Sequence, residues 1–458
     1  MEKRMTSQEA LASAPLWPLM LKLALPAVVA QLVNLLYNIV DRIYIGHMAE
    51  NGDLALTGLG LTFPVLLSIS AFSALVGSGG APIAAIFLGK GDRESAQKIL
   101  GNGLFLLLVF SACLTTLFFI IKKPLLYLVG ASEYTFGYAN QYLSIYLVGT
   151  VFVQLAMGLN PFISCQGKSR IAMCSVLLGA GCNILLDPLF IFVFDMGIRG
   201  AALATVLSQA ASALWIVRFL CSEQSVLRIR LSNLRPRWDM IRRICALGVS
   251  PLIMQLTESA ISLVLNNGLQ TYGGDLYVGS MTILNSVMQI FFSLNNGFAG
   301  GVQSIISYNY GARNFDRVKQ TFRRMITTTF CMGALVSLSV DLFPGFYVGL
   351  FTDKPELMAL TTQVLPIFTA GMWIFGIQTG CQNTFIGLGQ ARISLFFALL
   401  RKVILLIPLA LLLPRLGLGV WGVYLAEPIA DVLSATCIGI TFLFTYKKIL
   451  SDTAVQKV

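Results

Sequence analysis

Asp187 stands inside an apolar stretch that runs from about Ile171 to Phe194. A bare charge in a bilayer costs several kcal/mol, roughly 2.5–3.5 on insertion scales. An acid kept there is expected to face a partner or a water-filled cavity, and to do work. Asn183 lies one helical turn earlier on the same face. Pro188 follows Asp187 directly, removes a backbone donor and frees a carbonyl near Ile184, so it predicts a kink. An acid, an amide and a weak point in the backbone therefore lie together at membrane depth.

Two further side chains reach the same level. Asp41 precedes Gly46, the outer end of the first apolar stretch, by a distance of about 7–8 Å along a helix. Thr205 follows Arg199, where the sixth stretch begins on the same side. Asp41, Asn183, Asp187 and Thr205 thus form one candidate site. Its chemistry is either a proton-sharing carboxyl pair or an oxygen cage for a monovalent cation such as Na+. Desolvation and mutual repulsion both disfavour the doubly ionised state of any such pair. The competing reading is that each acid bonds a helix end and fixes a bend. Glu258, Glu427 and Asp431 are a second set of intramembrane acids, the last two sharing one helix face. They are candidates for binding a cationic substrate or for secondary coupling, or else they pair with Ser, Asn or Gln of neighbouring helices. Pro26 and Pro188 are the candidate hinges.

The elements that position these residues are membrane helices. The chain has 458 residues, 56% hydrophobic and only 12% charged, against about 25% charged in soluble domains. Twelve spans are predicted, at about 17–46, 54–88, 97–121, 135–158, 171–194, 199–220, 241–271, 276–310, 318–342, 357–385, 393–413 and 419–445. Lys and Arg alternate sharply between the two sides, 25 on one and 5 on the other, with Arg401 and Lys402 counted on the richer side and Lys22 and Arg42 within the first span. The positive-inside rule then puts both termini in the cytoplasm.

The chain also repeats itself. Phe87-Leu88-Gly89-Lys90-Gly91-Asp92 corresponds to Asn309-Tyr310-Gly311-Ala312-Arg313-Asn314. Gln166-Gly167-Lys168-Ser169-Arg170 corresponds to Leu388-Gly389-Gln390-Ala391-Arg392, and Gly197-Ile198-Arg199-Gly200-Ala201 to Gly419-Val420-Trp421-Gly422-Val423. All three pairs are offset by 222 residues. They predict an all-α membrane protein of two six-helix lobes, 1–220 and 241–458, joined by a basic cytoplasmic linker at 221–240. Because six is even, the lobes are related by a pseudo-twofold along the membrane normal, a geometry suited to rocking about a central cavity. Position 409, the counterpart of Asp187, is Leu, so the lobes are not chemically equivalent.

Several classes are excluded or disfavoured. The net charge of +11 is spread over loops between apolar spans and is read as topology, with no nucleic-acid partner. Gly89-Lys90 lacks the earlier glycine of a phosphate-binding loop, since position 84 is Ala. A single His, His47, makes neither a catalytic triad nor a metal site. The nine cysteines show no CxxC spacing and read as small apolar residues. No cleavable signal peptide is expected, and no cofactor beyond a coupling ion, H+ or Na+.

The runs Asp41-Arg42-Ile43-Tyr44-Ile45-Gly46, Asn183-Ile184-Leu185-Leu186-Asp187-Pro188 and Gly200-Ala201-Ala202-Leu203-Ala204-Thr205 make the chain resemble the MATE (multidrug and toxic compound extrusion) family, in its DinF- and MepA-like branch. The resemblance covers nearly the whole length. It implies a V-shaped twelve-helix antiporter of a bacterial or archaeal cytoplasmic membrane, monomeric, in contact with lipid. It would expel cationic, amphipathic drugs against inward H+ or Na+. It also implies that Asp41, Asn183, Asp187 and Thr205 form the first-lobe ion or proton site, and that Glu258 matches a glutamate used in other branches. A lipid-linked precursor flippase is the alternative. A channel, which would show a repeated pore segment, is less favoured.

Overall fold

The computed structural model describes residues 6–48 and 52–450. Lys3, Arg4 and Lys457 of the basic tally lie outside the described residues. The described elements are helical throughout. A short helix α1 (Ser7–Ser13) precedes the long helices α2 (Leu16–Gly46), α3 (Gly52–Gly89) and α4 (Arg93–Leu128). Next come α5 (Glu133–Val148), α6 (Thr150–Ser164), α7 (Ser169–Pro188) and α8 (Ile198–Cys221). The second half holds α9 (Trp238–Tyr272), α10 (Asp275–Gly311), α11 (Phe315–Leu342), a short α12 (Pro344–Gly349), α13 (Pro355–Thr369), α14 (Met372–Gly387), α15 (Ala391–Leu399), α16 (Ile407–Leu412) and α17 (Gly419–Ile449).

Ten stretches are long and apolar enough to cross a membrane unaided, and two bent pairs bring the number to 12. The bends correct the sequence reading, which ran spans four and ten straight through. The pair α5–α6 turns by 60° and the pair α13–α14 by 45°. A glycine stands at each break, Gly149 and Gly371, at the same offset of 222. Close packing fills the space beside both. A Cβ on Gly149 would lie 2.4 Å from Val206, and one on Gly371 2.9 Å from the Cβ of Asp431.

The internal repeat reaches the backbone. Gly91 and Arg313 are left-handed (φ 80° and 60°), as are Gly167 and Gly389 (78° and 70°) and Gly197 and Gly419 (55° and 52°). Each pair holds corresponding places in the repeated motifs. Helix starts repeat too. The Asp92 side chain accepts from the backbone N–H of Ser95 and opens α4; Asn314 accepts from Arg317 and opens α11.

The lobes meet through these repeats. In lobe one, α3 packs against α9 of lobe two, and α10 packs against α2. Glycines make both crossings close. A Cβ on Gly79 would stand 2.4 Å from the Ile244 carbonyl, and one on Gly301 2.6 Å from Ala24. On the pseudo-twofold axis itself, Gly89 faces the Tyr308 carbonyl and Gly311 faces the Ile86 carbonyl, at 1.9 and 2.0 Å from an added Cβ. These approaches lie in the halves of the helices nearer the linker. Pro26 sits between Ala24 and Val28, which meet Gly301 and Gly297, so the candidate hinge of span one adjoins a lobe crossing.

The linker is anchored to lobe one. Gln166 Oε1 accepts from Ser225 Oγ (3.1 Å), Val226 N (2.8 Å) and Leu227 N (3.2 Å). Asn102 Oδ1 accepts from Arg237 N at 2.7 Å. A groove of about 740 Å³ lies here, lined by Arg93, Glu94, Arg228 and Arg230 among others, away from both intramembrane charge clusters.

Candidate functional site

Helices α2, α7 and α8 converge in lobe one and carry the four residues singled out from the sequence. Asp41, Asn183, Asp187 and Thr205 are all buried, Asp187 completely. Asn183 donates from Nδ2 to Asp187 Oδ1 at 3.2 Å, one turn apart on α7. Asp41 and Asp187 are close enough for their carboxyls to act on one another directly. Tyr142 lies near both Thr205 and Asp41. Tyr37, one turn before Asp41 on α2, also adjoins the pair. Asp41 Oδ1, Asp187 Oδ2 and Asn183 Oδ1 are buried without a protein donor. Three oxygens facing inward without a donor suit a proton or a small cation. Arg42, the next residue round the helix, is exposed.

The α-helix of span five stops at Pro188 and continues as a π-helical turn, Leu189–Val193. The break falls directly after Asp187. Such turns arise where the regular hydrogen-bond ladder is interrupted, and they recur at functional sites.

The second lobe corrects the sequence reading. Arg401 and Lys402, counted with the basic-side segments although they fall inside the span read at 393–413, lie within span eleven on a π-helical segment, Leu400–Leu406. They are 6% and 3% exposed. Glu427, Asp431 and Glu258 therefore pair with buried bases and not with neighbouring amides. Arg401 donates from Nε to Asp431 Oδ1 at 2.6 Å and from Nη2 to Glu427 Oε1 at 2.8 Å. Its guanidinium lies 4.6 Å from the centre of the Phe375 ring. Lys402 donates to the Met254 carbonyl at 2.8 Å and forms an ion pair with Glu258. Glu427 occupies the place that Thr205 holds in lobe one, 222 residues earlier. Low dielectric makes bare charges costly, and each buried charge here meets an opposite one.

Sequence reasoning missed Arg401 and Lys402, together with Tyr37, Tyr142 and Phe375. One signal for the bases was available. Arg401 lies about 15 Å along a helix from its start at Ala391, too deep to be counted with the segments of one side. Some polar residues of spans eight and ten bond between helices. Gln378 accepts from Ser434 at 3.0 Å, and Gln382 donates to Ser250 and Ser394, each at 3.0 Å. Asn295 is buried without a partner.

Two repeated helical lobes with ionisable groups buried among long apolar helices define a multi-pass membrane protein with the architecture of a transporter. The MatE family model matches two stretches, residues 26–189 and 251–412, one in each half; the chain belongs to the MatE family. It is 26% identical to the multidrug export protein MepA of Staphylococcus haemolyticus over 418 residues, 91% of each chain. It is likewise 26% identical to MepA of Staphylococcus aureus strain N315, across 90% of this chain and 91% of that one. Among solved structures, a MATE protein in the bent conformation superposes with a TM-score of 0.90 at 24% identity, covering 99% of both chains. A MOP-superfamily transporter from Pyrococcus furiosus gives the same score and identity over 100% of both.

Proposed function

We propose that this chain is a secondary antiporter that expels cationic, amphipathic compounds in exchange for inward H+ or Na+, with both termini in the cytoplasm. The observation that carries the reading is the Asp41–Asp187 pair: two buried carboxyls side by side, with an amide and three donorless oxygens, and no buried base beside them. Such a pair exchanges a proton or a cation with solvent more readily than a cluster already neutralised by Arg or Lys. The MepA relatives are multidrug exporters by name, which supports the substrate class.

In the mechanism, the ion binds Asp41 and Asp187 while the lobes are closed at the linker end. Span one bends near Pro26, the break at Pro188 relaxes, and the cavity face of lobe one changes. Substrate leaves, the lobes rock, and the ion escapes to the other side. The difference in ion affinity between the two states supplies the coupling. The protein works as a monomer in the cytoplasmic membrane. A flippase for anionic lipid-linked precursors would need buried bases free to meet pyrophosphate; Arg401 and Lys402 are both engaged by carboxylates.

The test is reconstitution in liposomes with a fluorescent cation such as ethidium, under an imposed proton gradient and then a sodium gradient. Gradient-driven uptake is expected, and Asp41→Asn and Asp187→Asn should each abolish it. Transport that survives both substitutions removes the first-lobe pair from the mechanism.

A further inference from the structure

Both lobes carry intramembrane carboxylates, but only one carries bases among them. The second-lobe cluster holds Glu258 on α9, Arg401 and Lys402 on span eleven, and Glu427 and Asp431 on α17. Arg401 is fully engaged by Glu427 and Asp431. Lys402 stands apart from that set. Its ammonium meets the Met254 carbonyl and the Glu258 carboxylate, both on α9. A main-chain carbonyl and a carboxylate are the oxygen types that bind hard cations. The corresponding positions of lobe one, 222 residues earlier, are Gly179 and Ala180. The base nearest that lobe's acids, Arg42, is exposed rather than buried among them.

We propose that Lys402 is a tethered cation: its ammonium holds a monovalent-cation site formed by Glu258 and the Met254 carbonyl, so the second lobe takes no ion from solution. Lys402 thereby confines ion exchange to lobe one and ties span seven to span eleven. With every member ionised, three acids face two bases. Removing Lys402 leaves Arg401 alone against the three, and the oxygens it bonded are free for Na+. The inference needs the placement of these side chains but not the drug-export reading, and it is tested by binding alone.

The experiment uses the purified full-length protein carrying Asp41→Asn and Asp187→Asn, which silences the first lobe. Thermal unfolding is followed at pH 8 while NaCl replaces choline chloride at constant ionic strength. The parent with Lys402 should show no sodium dependence. Lys402→Met and Lys402→Gln should each gain a sodium-dependent rise of about 3 °C, as expected for a ligand present well above its dissociation constant. Lys402→Gln keeps a donor for the Met254 carbonyl and serves if the methionine variant does not fold. Lys402→Arg, which restores a tethered charge, should be as indifferent to sodium as the parent. Adding Glu258→Gln to Lys402→Met should remove the gained response. The proposal is overturned if neither Lys402→Met nor Lys402→Gln responds to sodium. It is equally overturned if the parent already responds as strongly, or if the response persists without Glu258.

Discussion

Replacing Arg401 by Met should destabilise the protein severely, and the size follows from its contacts. The guanidinium makes two charge-assisted hydrogen bonds, at 2.6 Å to Asp431 and 2.8 Å to Glu427. Each is worth about 1.5–3 kcal/mol. The cation–π contact with Phe375 at 4.6 Å adds to these, at about 2 kcal/mol for a desolvated pair. The gain is partly offset because Arg401 no longer has to be dehydrated. What dominates is the pair of carboxylates left buried without a counter-charge, and breaking such a pair costs about 3–5 kcal/mol. For a chain of this length that corresponds to a fall of about 3–5 °C in the unfolding midpoint. Fluorescence-detected gel filtration after heating reads it directly. The same substitution combined with Glu427→Gln and Asp431→Asn should recover most of the loss, because neutral replacement of a whole buried ionic set is often tolerated. A change of under about 1 °C for Arg401→Met, in the range of ordinary surface substitutions, would refute the buried network.

Other consequences are as direct. Gly89→Ala places a methyl group 1.9 Å from the Tyr308 carbonyl, so the lobes must part at the linker end; spin-label distances across that end should lengthen, and stability should fall by about 1–3 kcal/mol. Gln166→Ala removes the acceptor shared by Ser225, Val226 and Leu227; trypsin should then cut the linker near Arg228 several times faster, with transport retained. Asn183→Ala deletes the 3.2 Å bond to Asp187 but leaves both carboxyls in place. It should weaken ion-driven uptake by roughly tenfold, the factor set by about 1.4 kcal/mol, without the complete loss expected for Asp187→Asn.

The two-lobed fold was legible because two independent signals agreed. Lys and Arg alternated from side to side, and three motifs recurred at one offset. Those motifs are turns and helix caps, whose glycines and cap residues are dictated by backbone geometry, so they mark the repeat even where the spans have diverged. Asp41 and Asp187 were legible for a related reason: an acid in an apolar run has no bland surroundings. Arg401 and Lys402 were hidden by their position. They follow another basic residue, Arg392, at the start of the same span, and a tally of charges by side absorbed them. The breaks at Gly149 and Gly371 were hidden because a bent span remains apolar throughout. Only its packing against Val206 or against α17 requires the missing Cβ.

The crossing at Gly89 and Gly311 closes main chain on main chain, with no side chain between Gly89 and the Tyr308 carbonyl or between Gly311 and the Ile86 carbonyl. A gate of that kind is a matter of leakage. Bulky or polar side chains leave gaps and hydrogen-bonded water where they fail to interlock, and water can carry protons. Two backbones in van der Waals contact leave no such wire. In the exchange proposed above, an imperfect seal would dissipate the driving gradient, and the bare glycines on the axis would guard against that loss. The seal also comes in reciprocal halves, and widening either one opens the same path.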